Sequence, residues 1–323
     1  MSRKNFTISF DSESFAIYDN GKVYAKEPCC LIRKKSNNPS IIAFGRDAKK
    51  RHGSLNDNEM FSLPFKDGKV FDELGARIYV KYILKKYFVP RFSNLYVLIT
   101  CGMQAEDAIA IESVFVRNGY PNVFLLDRTK VLVEMCKAHE KNVALYADND
   151  LTEISVISSE VNTANFSLPI SFNLLGEQLR DYFAQNVKLK LSFEESIYLA
   201  KNFCSLFRSD GTKIVAEGTD TITFLSKSII LSVRDVFPIV QSLYLKITGL
   251  IRAAVTDASD EVKRNVFEKG ILICGNGATI NGYPEFIREE TGISCSTETT
   301  SDTLEVLASM LISSEKEWRE DNV

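Results

Sequence analysis

The spacing in this chain that most suggests chemistry is Gly275-Asn276-Gly277-Ala278, a small loop directly after the apolar run Ile271-Leu272-Ile273-Cys274. The run reads as a buried strand. Residues 284–292 after the loop read as a helix, with Pro284 near its start and Gly292 at its end. Gly275 and Gly277 carry no Cβ, so the loop can take unusual backbone angles and let a flat ligand reach the main chain, as a nucleotide would. The same Gly-x-Gly also serves as a bare structural turn. As a dinucleotide fingerprint it is incomplete, because Ile280 stands at the third glycine position.

Two polar turns carry carboxylates. Asp11-Ser12-Glu13-Ser14 lies between two short strands, and its plain reading is a surface hairpin turn. Asp148-Asn149-Asp150-Leu151-Thr152-Glu153 lies between two later strands and begins like a calcium loop. Glu153 stands where that loop needs its glycine and Ser159 where it needs its bidentate glutamate, which argues against calcium. Seven cysteines, without a C-x-x-C spacing and with only His52 and His139 beside them, cannot build the usual zinc sites. Cys29-Cys30 reads as a pair of small buried residues. Walker A, H-E-x-x-H and G-x-S-x-G sequences are absent, which removes several common enzyme classes.

The elements that must position these residues follow from length and patterning. A chain of 323 residues suggests about two domains, and 45% apolar with 25% charged residues is ordinary composition for a soluble protein. The net charge of -3 gives no reason to expect a nucleic-acid partner, and Arg33-Lys34-Lys35 and Lys49-Lys50-Arg51 read as solvated clusters. No apolar run approaches membrane-spanning length, and the first residues lack the apolar core of a signal peptide, so a cytoplasmic location is expected.

Residues 6–10, 15–18 and 22–25 read as a β-meander, with Asp19-Asn20-Gly21 as a turn signal. Residues 33–63 read as an inserted subdomain, and residues 71–87 as an amphipathic helix. Strands at 95–100 and 123–126 alternate with helices at 104–118 and 130–138. Residues 143–147, 154–157 and 165–170 then repeat the meander around the second acidic turn. Helices at 176–186 and 193–207, a hairpin at 213–224, and helices at 232–255 and 260–268 follow, and residues 304–317 close the chain. Three strands with an acidic turn, followed by strands and helices, occur twice, which marks an internal duplication.

A duplicated meander, an early D-x-x-S turn and a late Gly-x-Gly-Ala loop together resemble the actin, hexokinase and chaperone-ATPase superfamily. Within it the chain is similar to the MreB family, the actin-like proteins of rod-shaped bacteria. The most specific match is Pro64-x-Lys66-Asp67-Gly68-x-Val70-x-Asp72. Others are Lys26-Glu27-Pro28, Phe44-Gly45-x-x-Ala48-Lys49, Ile99-Thr100-Cys101-Gly102, the run from Glu268 through Ala278, and Glu289-Glu290-Thr291-Gly292. They fall in family order along nearly the whole chain. The resemblance implies an α/β, actin-like duplicated ribonuclease-H-like fold, with two lobes around a nucleotide cleft that takes ATP with Mg2+. It divides the chain into first-lobe core at 1–32 and 64–142 with a small subdomain at 33–63. The second-lobe core is then 143–186 and 231–303 with a small subdomain at 187–230, and a C-terminal helix at 304–323 returns to the first lobe.

The resemblance also assigns site residues, and there the chain departs from the family. The first phosphate loop, D-x-G-T, matches Asp11-Ser12-Glu13-Ser14: Asp11 is the metal-side carboxylate, Ser12 and Ser14 line the loop, and Glu13 replaces the glycine. The second, D-I-G-G-G-T-T-E, matches residues 146–153, so Tyr146 replaces the aspartate, all three glycines are lost, and Thr152 and Glu153 are kept. Asp148 and Asp150 would then face phosphate, and a like-charge contact at 4 Å costs on the order of 4 kcal/mol at an effective dielectric of 20. Arg128 falls on the family's water-positioning glutamate and cannot act as a base, while the adjacent Asp127 is the one catalytic candidate. On the adenosine side Glu195, Gly176-Glu177 and Gly275-Asn276-Gly277-Ala278 match, while Tyr198 replaces a lysine.

The function implied is a filament-forming cytoskeletal protein, a homopolymer or a copolymer with another MreB, that helps determine cell shape with cell-wall synthesis proteins as partners. Its ATP binding is weak or absent, and it is at most a slow ATPase. Its place is the cytoplasm, with peripheral contact at the inner face of the membrane through Phe88, Val89 and Phe92, which follow Lys85-Lys86; capping of the core is the other reading of those residues. A monomeric ATP-dependent enzyme or chaperone-like ATPase on the same fold is the alternative, and a non-filamentous binding module is a third.

Overall fold

Strand β1 (Asn5–Phe10) pairs antiparallel with β2 (Ser14–Asp19), and β2 with β3 (Lys22–Pro28). The computed structural model describes residues 3–36, 40–158, 161–208, 211–298 and 302–314. Asp19 pairs with Lys22, leaving Asn20-Gly21 as a two-residue turn with φ of 49° and 73°, the twist-matched geometry that Asn-Gly favours. A small sheet of order β5-β4-β6 follows, from β4 (Leu31–Lys34), β5 (Ile41–Phe44) and β6 (Glu59–Ser62), with α1 (Gly45–Arg51) between the last two.

The run from Pro64 through Asp72 has a mechanical explanation. Strands β7 (Phe65–Lys66) and β8 (Lys69–Val70) turn through Asp67 and Gly68, both at positive φ. Phe65 is fully buried and stacks on Phe10 with ring centroids 4.1 Å apart, a burial worth about 1.5–3 kcal/mol. Asp72 then caps α2 (Glu73–Lys86) by accepting from the Gly75 amide at 3.0 Å. Strand β9 (Asn94–Ile99), α3 (Ala105–Val116), β10 (Val123–Asp127) and α4 (Arg128–Ala138) complete this part of the chain, and the sheet has order β10-β9-β1-β2-β3.

The same plan then recurs. β11 (Val143–Ala147), β12 (Thr152–Ser158) and β13 (Val161–Leu168) form an antiparallel meander, followed by α5 (Phe172–Tyr182), β14 (Leu189–Lys190) and α6 (Phe193–Asn202). β15 (Lys213–Asp220) and β16 (Ser226–Ser232) make a hairpin beside β14. Next come α7 (Val233–Asp257), started by a Ser232/Asp235 capping box, then α8 (Asp260–Lys269), β17 (Ile271–Cys274), α9 (Tyr283–Thr291) and β18 (Cys295–Thr297). The second sheet runs β18-β17-β11-β12-β13. In both sheets the first meander strand pairs parallel with the first later strand, and that one parallel with the next. The duplication is therefore one of topology as well as of pattern.

Contacts divide the chain into Met1–Leu132 with Asp302–Val323, and Val133–Ser301. The last helix, α10 (Thr303–Ser314), packs on β1 to β3 through Leu304, Ala308 and Ile312, and the expected extension to residue 317 lies outside the described residues. Lys26 pairs with Asp302 at 2.8 Å, and the Gly21 amide donates to Ser309 Oγ at 3.0 Å. Several boundaries differ from the sequence reading. Helix α5 starts at Phe172 rather than 176, because Ser171 caps it through the Leu174 amide. Helix α6 stops at Asn202 rather than 207, and the next residues are irregular, with Ser205 bridging to Asn281.

Candidate functional site

The two acidic turns have the same internal structure. Phe10 pairs with Phe15, and Asp11 Oδ1 accepts from the Glu13 amide at 2.7 Å and the Ser14 amide at 2.6 Å, while the Asp11 amide donates to Ser14 O at 2.9 Å. Ala147 pairs with Thr152, and Asp148 Oδ1 accepts from the Asp150 and Leu151 amides at 2.7 Å each, while the Asp148 amide donates to Leu151 O at 2.9 Å. Each turn is closed by the carboxylate of its own first residue. The structural counterpart of Asp11 is thus Asp148 and not Tyr146, which pairs with Glu153 inside the sheet.

This placement corrects the reading of Thr152 and Glu153. Both belong to β12 and are buried, and the Thr152 hydroxyl donates to Ile170 O at 2.7 Å. Neither belongs to the turn. In the first turn Asp11 and Ser12 are buried and Ser14 is the first residue of β2.

In the unit that begins at Val133, the glycine loop lies beside Ala147 and Asp148, and the remaining predicted residues lie on α5 and α6. Gly275 has φ of 91°, and a Cβ there would collide with Ala147 O; one on Gly277 would lie 2.8 Å from Ala147 Cβ and 2.9 Å from Asp148 O. These glycines let residues 275–278, with Asn276 opening a 3-10 turn and Ala278 buried, dock on the end of β11. Gly176 packs α5 on α6, since a Cβ there would lie 2.6 Å from Ile197 Cδ1, and Glu177 beside it is exposed. Glu195 lies in the first turn of α6, where its amide donates to Ser192 Oγ at 3.0 Å.

Two residues that sequence reasoning missed also reach the second turn. Asn173 Nδ2 donates to Asp150 Oδ1 at 2.9 Å from the first turn of α5, whose partial positive end favours a carboxylate. Lys201 Nζ donates to Asn149 Oδ1 at 3.0 Å and lies 5.9 Å from the Phe172 ring centre. The available signal was its position three residues after Tyr198, one helical turn along α6.

Asp127 ends β10, paired with Ile99. Its Oδ2 accepts from the Gly102 amide at 3.0 Å and its Oδ1 from the Thr129 amide at 2.7 Å, while Arg128 beside it is buried. With each oxygen holding a backbone amide, Asp127 ties the β9–α3 loop to the start of α4. No group of three or more metal-ligating side chains is gathered among the described residues. A phosphate at either turn would need amide hydrogens that Asp11 and Asp148 already hold, beside carboxylates of like charge. The turns as built therefore do not fit a phosphate.

A family model described as MreB/Mbl protein matches residues 3–321. The chain is 21% identical over 300 residues to the cell shape-determining protein Mbl of Bacillus subtilis (strain 168), covering 90% of each. It is 21% identical over 306 residues to the cell shape-determining protein MreB of Escherichia coli (strain K12), covering 91% of this chain and 88% of that one. MreB5 of Spiroplasma citri, solved bound to AMPPNP and to ADP, matches in each form with a TM-score of 0.88 at 18% identity, covering 99% of this chain and 98% of that one. The fold is the actin-like one.

Replacing Asp148 by alanine leaves two amides of the turn without their charged acceptor. Asp148→Ala is expected to lower unfolding free energy by about 2–3 kcal/mol in urea titration, and Asp148→Asn, which keeps an acceptor oxygen, by about 1 kcal/mol. Equal losses in the two variants would contradict the capping role.

Proposed function

Because the chain belongs to the MreB/Mbl family, we propose that it is a cytoskeletal protein whose filaments help determine cell shape by organising cell-wall synthesis. The agreement of family and fold along the whole chain carries this reading. The filament is a homopolymer or a copolymer with another MreB. An ATP-driven enzyme on the same fold is disfavoured, because Arg128 replaces the expected base and Asp127 is engaged by two amides.

The solved neighbour binds AMPPNP and ADP. In this chain Glu195, Glu177 and the loop at residues 275–278 are the surface proposed for an adenosine, with Asp11 the one carboxylate proposed on the Mg2+ side, while the self-capped turns at Asp11 and Asp148 disfavour phosphate. Nucleotide binding is then weak or absent, and assembly does not depend on hydrolysis. Negative-stain microscopy is expected to show filaments of the same abundance with and without ATP, alone or mixed with a second MreB. Failure to assemble under all of these conditions would contradict the filament reading.

Membrane contact is proposed for the connection after α2. Phe88 is 87% exposed at φ of 53°, and Phe92 is 74% exposed. Val89 does not take part as expected: it is 5% exposed and packs in the core beneath them. Lys86 is also committed, since its Nζ pairs with buried Glu27 at 2.7 Å, an anchor that Tyr87 shares by donating its hydroxyl to Glu27 Oε1 at 2.6 Å. Lys85 and Arg91 remain exposed beside the two rings. No helix among the described residues is long and apolar enough to cross a membrane. On the family reading, the proposed site is the inner face of the cell membrane, contacted peripherally from the cytoplasm through the exposed Phe88 and Phe92. Each phenyl contributes up to about 1.5–3 kcal/mol, so Phe88→Ser with Phe92→Ser is expected to reduce co-flotation with anionic vesicles at least about tenfold. Unchanged flotation would assign these rings to another role.

A further inference from the structure

Strand β6 forms one edge of the small sheet, and among the described residues no strand pairs with its outer side. A pocket of about 780 Å3 lies along it, within the range that holds specific ligands. One wall is residues 60–63 with Arg33 of the neighbouring β4, and the other is the start of α2, residues 71–74 with Arg77. Side chains of a strand alternate between its faces. The pocket touches Met60, Phe61 and Ser62 in succession, which brings it to the strand's edge, where backbone N–H and C=O groups point outward.

The pocket is lined by apolar side chains, two arginines and two carboxylates, and both carboxylates are already paired, Asp72 with Arg33 and Glu73 with Arg117. Phe71 and Leu74 are 67% and 40% exposed at its mouth, and Phe61 and Met60 are half-buried within it. Arg33 is held by Asp72 at 3.1 Å, and Asp72 also accepts from Ser62 Oγ. Arg77 has no ion pair among the described residues, and its Nε is buried without a hydrogen-bond partner. Charge is segregated as well: residues 33–63 hold seven Lys or Arg against three Asp or Glu, in a chain of net charge -3. This subdomain is the basic part of an acidic protein.

We propose that the β6 edge is a docking site for an extended acidic peptide segment of a partner protein. The segment adds a strand to β6, sets a carboxylate on Arg77 and places a bulky apolar side chain between Phe61, Phe71 and Leu74. Main-chain hydrogen bonds supply affinity, and the arginine and the apolar pocket supply selectivity. A groove of this shape serves no step of the nucleotide chemistry discussed above, and the inference stands whether or not the chain polymerises.

The test is fluorescence polarisation of the full chain with a labelled, acetylated hexapeptide alternating glutamate with phenylalanine or leucine. Binding at roughly 0.1 mM or tighter is expected, with a loss of at least about tenfold for the same peptide N-methylated at alternate amides, which keeps the side chains but blocks strand pairing. Arg77→Glu is expected to weaken binding by a similar factor, and circular dichroism checks its fold. Phe71→Glu, at an exposed position, gives a second variant if Arg77→Glu does not fold. No binding at about 1 mM, equal binding of the N-methylated peptide, or unchanged binding by the folded variants overturns the proposal. So does a dimer formed through β6 that the peptide fails to dissociate.

Discussion

An aspartate that closes a four-residue turn with its own carboxylate, used once in each unit, is the constraint on which the rest of the arrangement depends. It fixes the register of each meander, since the residues on either side of the turn must pair directly, Phe10 with Phe15 and Ala147 with Thr152. It also sets the platform for the glycine loop. Ala147 and Asp148 are the atoms against which Gly275 and Gly277 press, so the loop that looks made for a ligand is first made for this contact. The carboxylates that give this order take the amide hydrogens an incoming anion would use.

A fold and its chemistry can diverge under such a constraint. The actin-like framework is kept along the whole chain, with sheets, crossovers and the returning α10 in place. Both self-capped turns carry acidic side chains, and Asp127 anchors two backbone amides. Lys201 and Asn173 attend the second turn by binding its Asn149 and Asp150 side chains. Residues 33–63, which contain β6, carry a net positive charge in a chain that is negative overall.

Much of this was legible in the sequence because the strongest signals are local. The repeated meander, the Asn20-Gly21 turn and the run from Pro64 to Asp72 depend on spacing and turn chemistry alone. Among the missed strands, β4, β6 and β18 are three or four residues long and mix polar with apolar residues, so their existence is decided by neighbours far along the chain. Thr152 and Glu153 were misplaced because family spacing counts residues, whereas the turn's closure at Leu151 hands both to the strand. Val89 looked like its neighbours Phe88 and Phe92, and only packing shows that it faces inward. Lys201 was invisible as a partner of the acidic turn because their approach is created by packing of α5 on α6.

The turns closed by Asp11 and Asp148 hold the amides that a nucleotide's phosphates would need. Isothermal titration calorimetry of the wild-type chain with ATP and magnesium tests it most directly. The structure predicts no binding tighter than roughly 0.1 mM, the regime expected when on the order of 4 kcal/mol of like-charge repulsion opposes the ligand. Saturable binding at about 1 μM would contradict it, and would mean that both turns open to give up their carboxylate caps when nucleotide arrives.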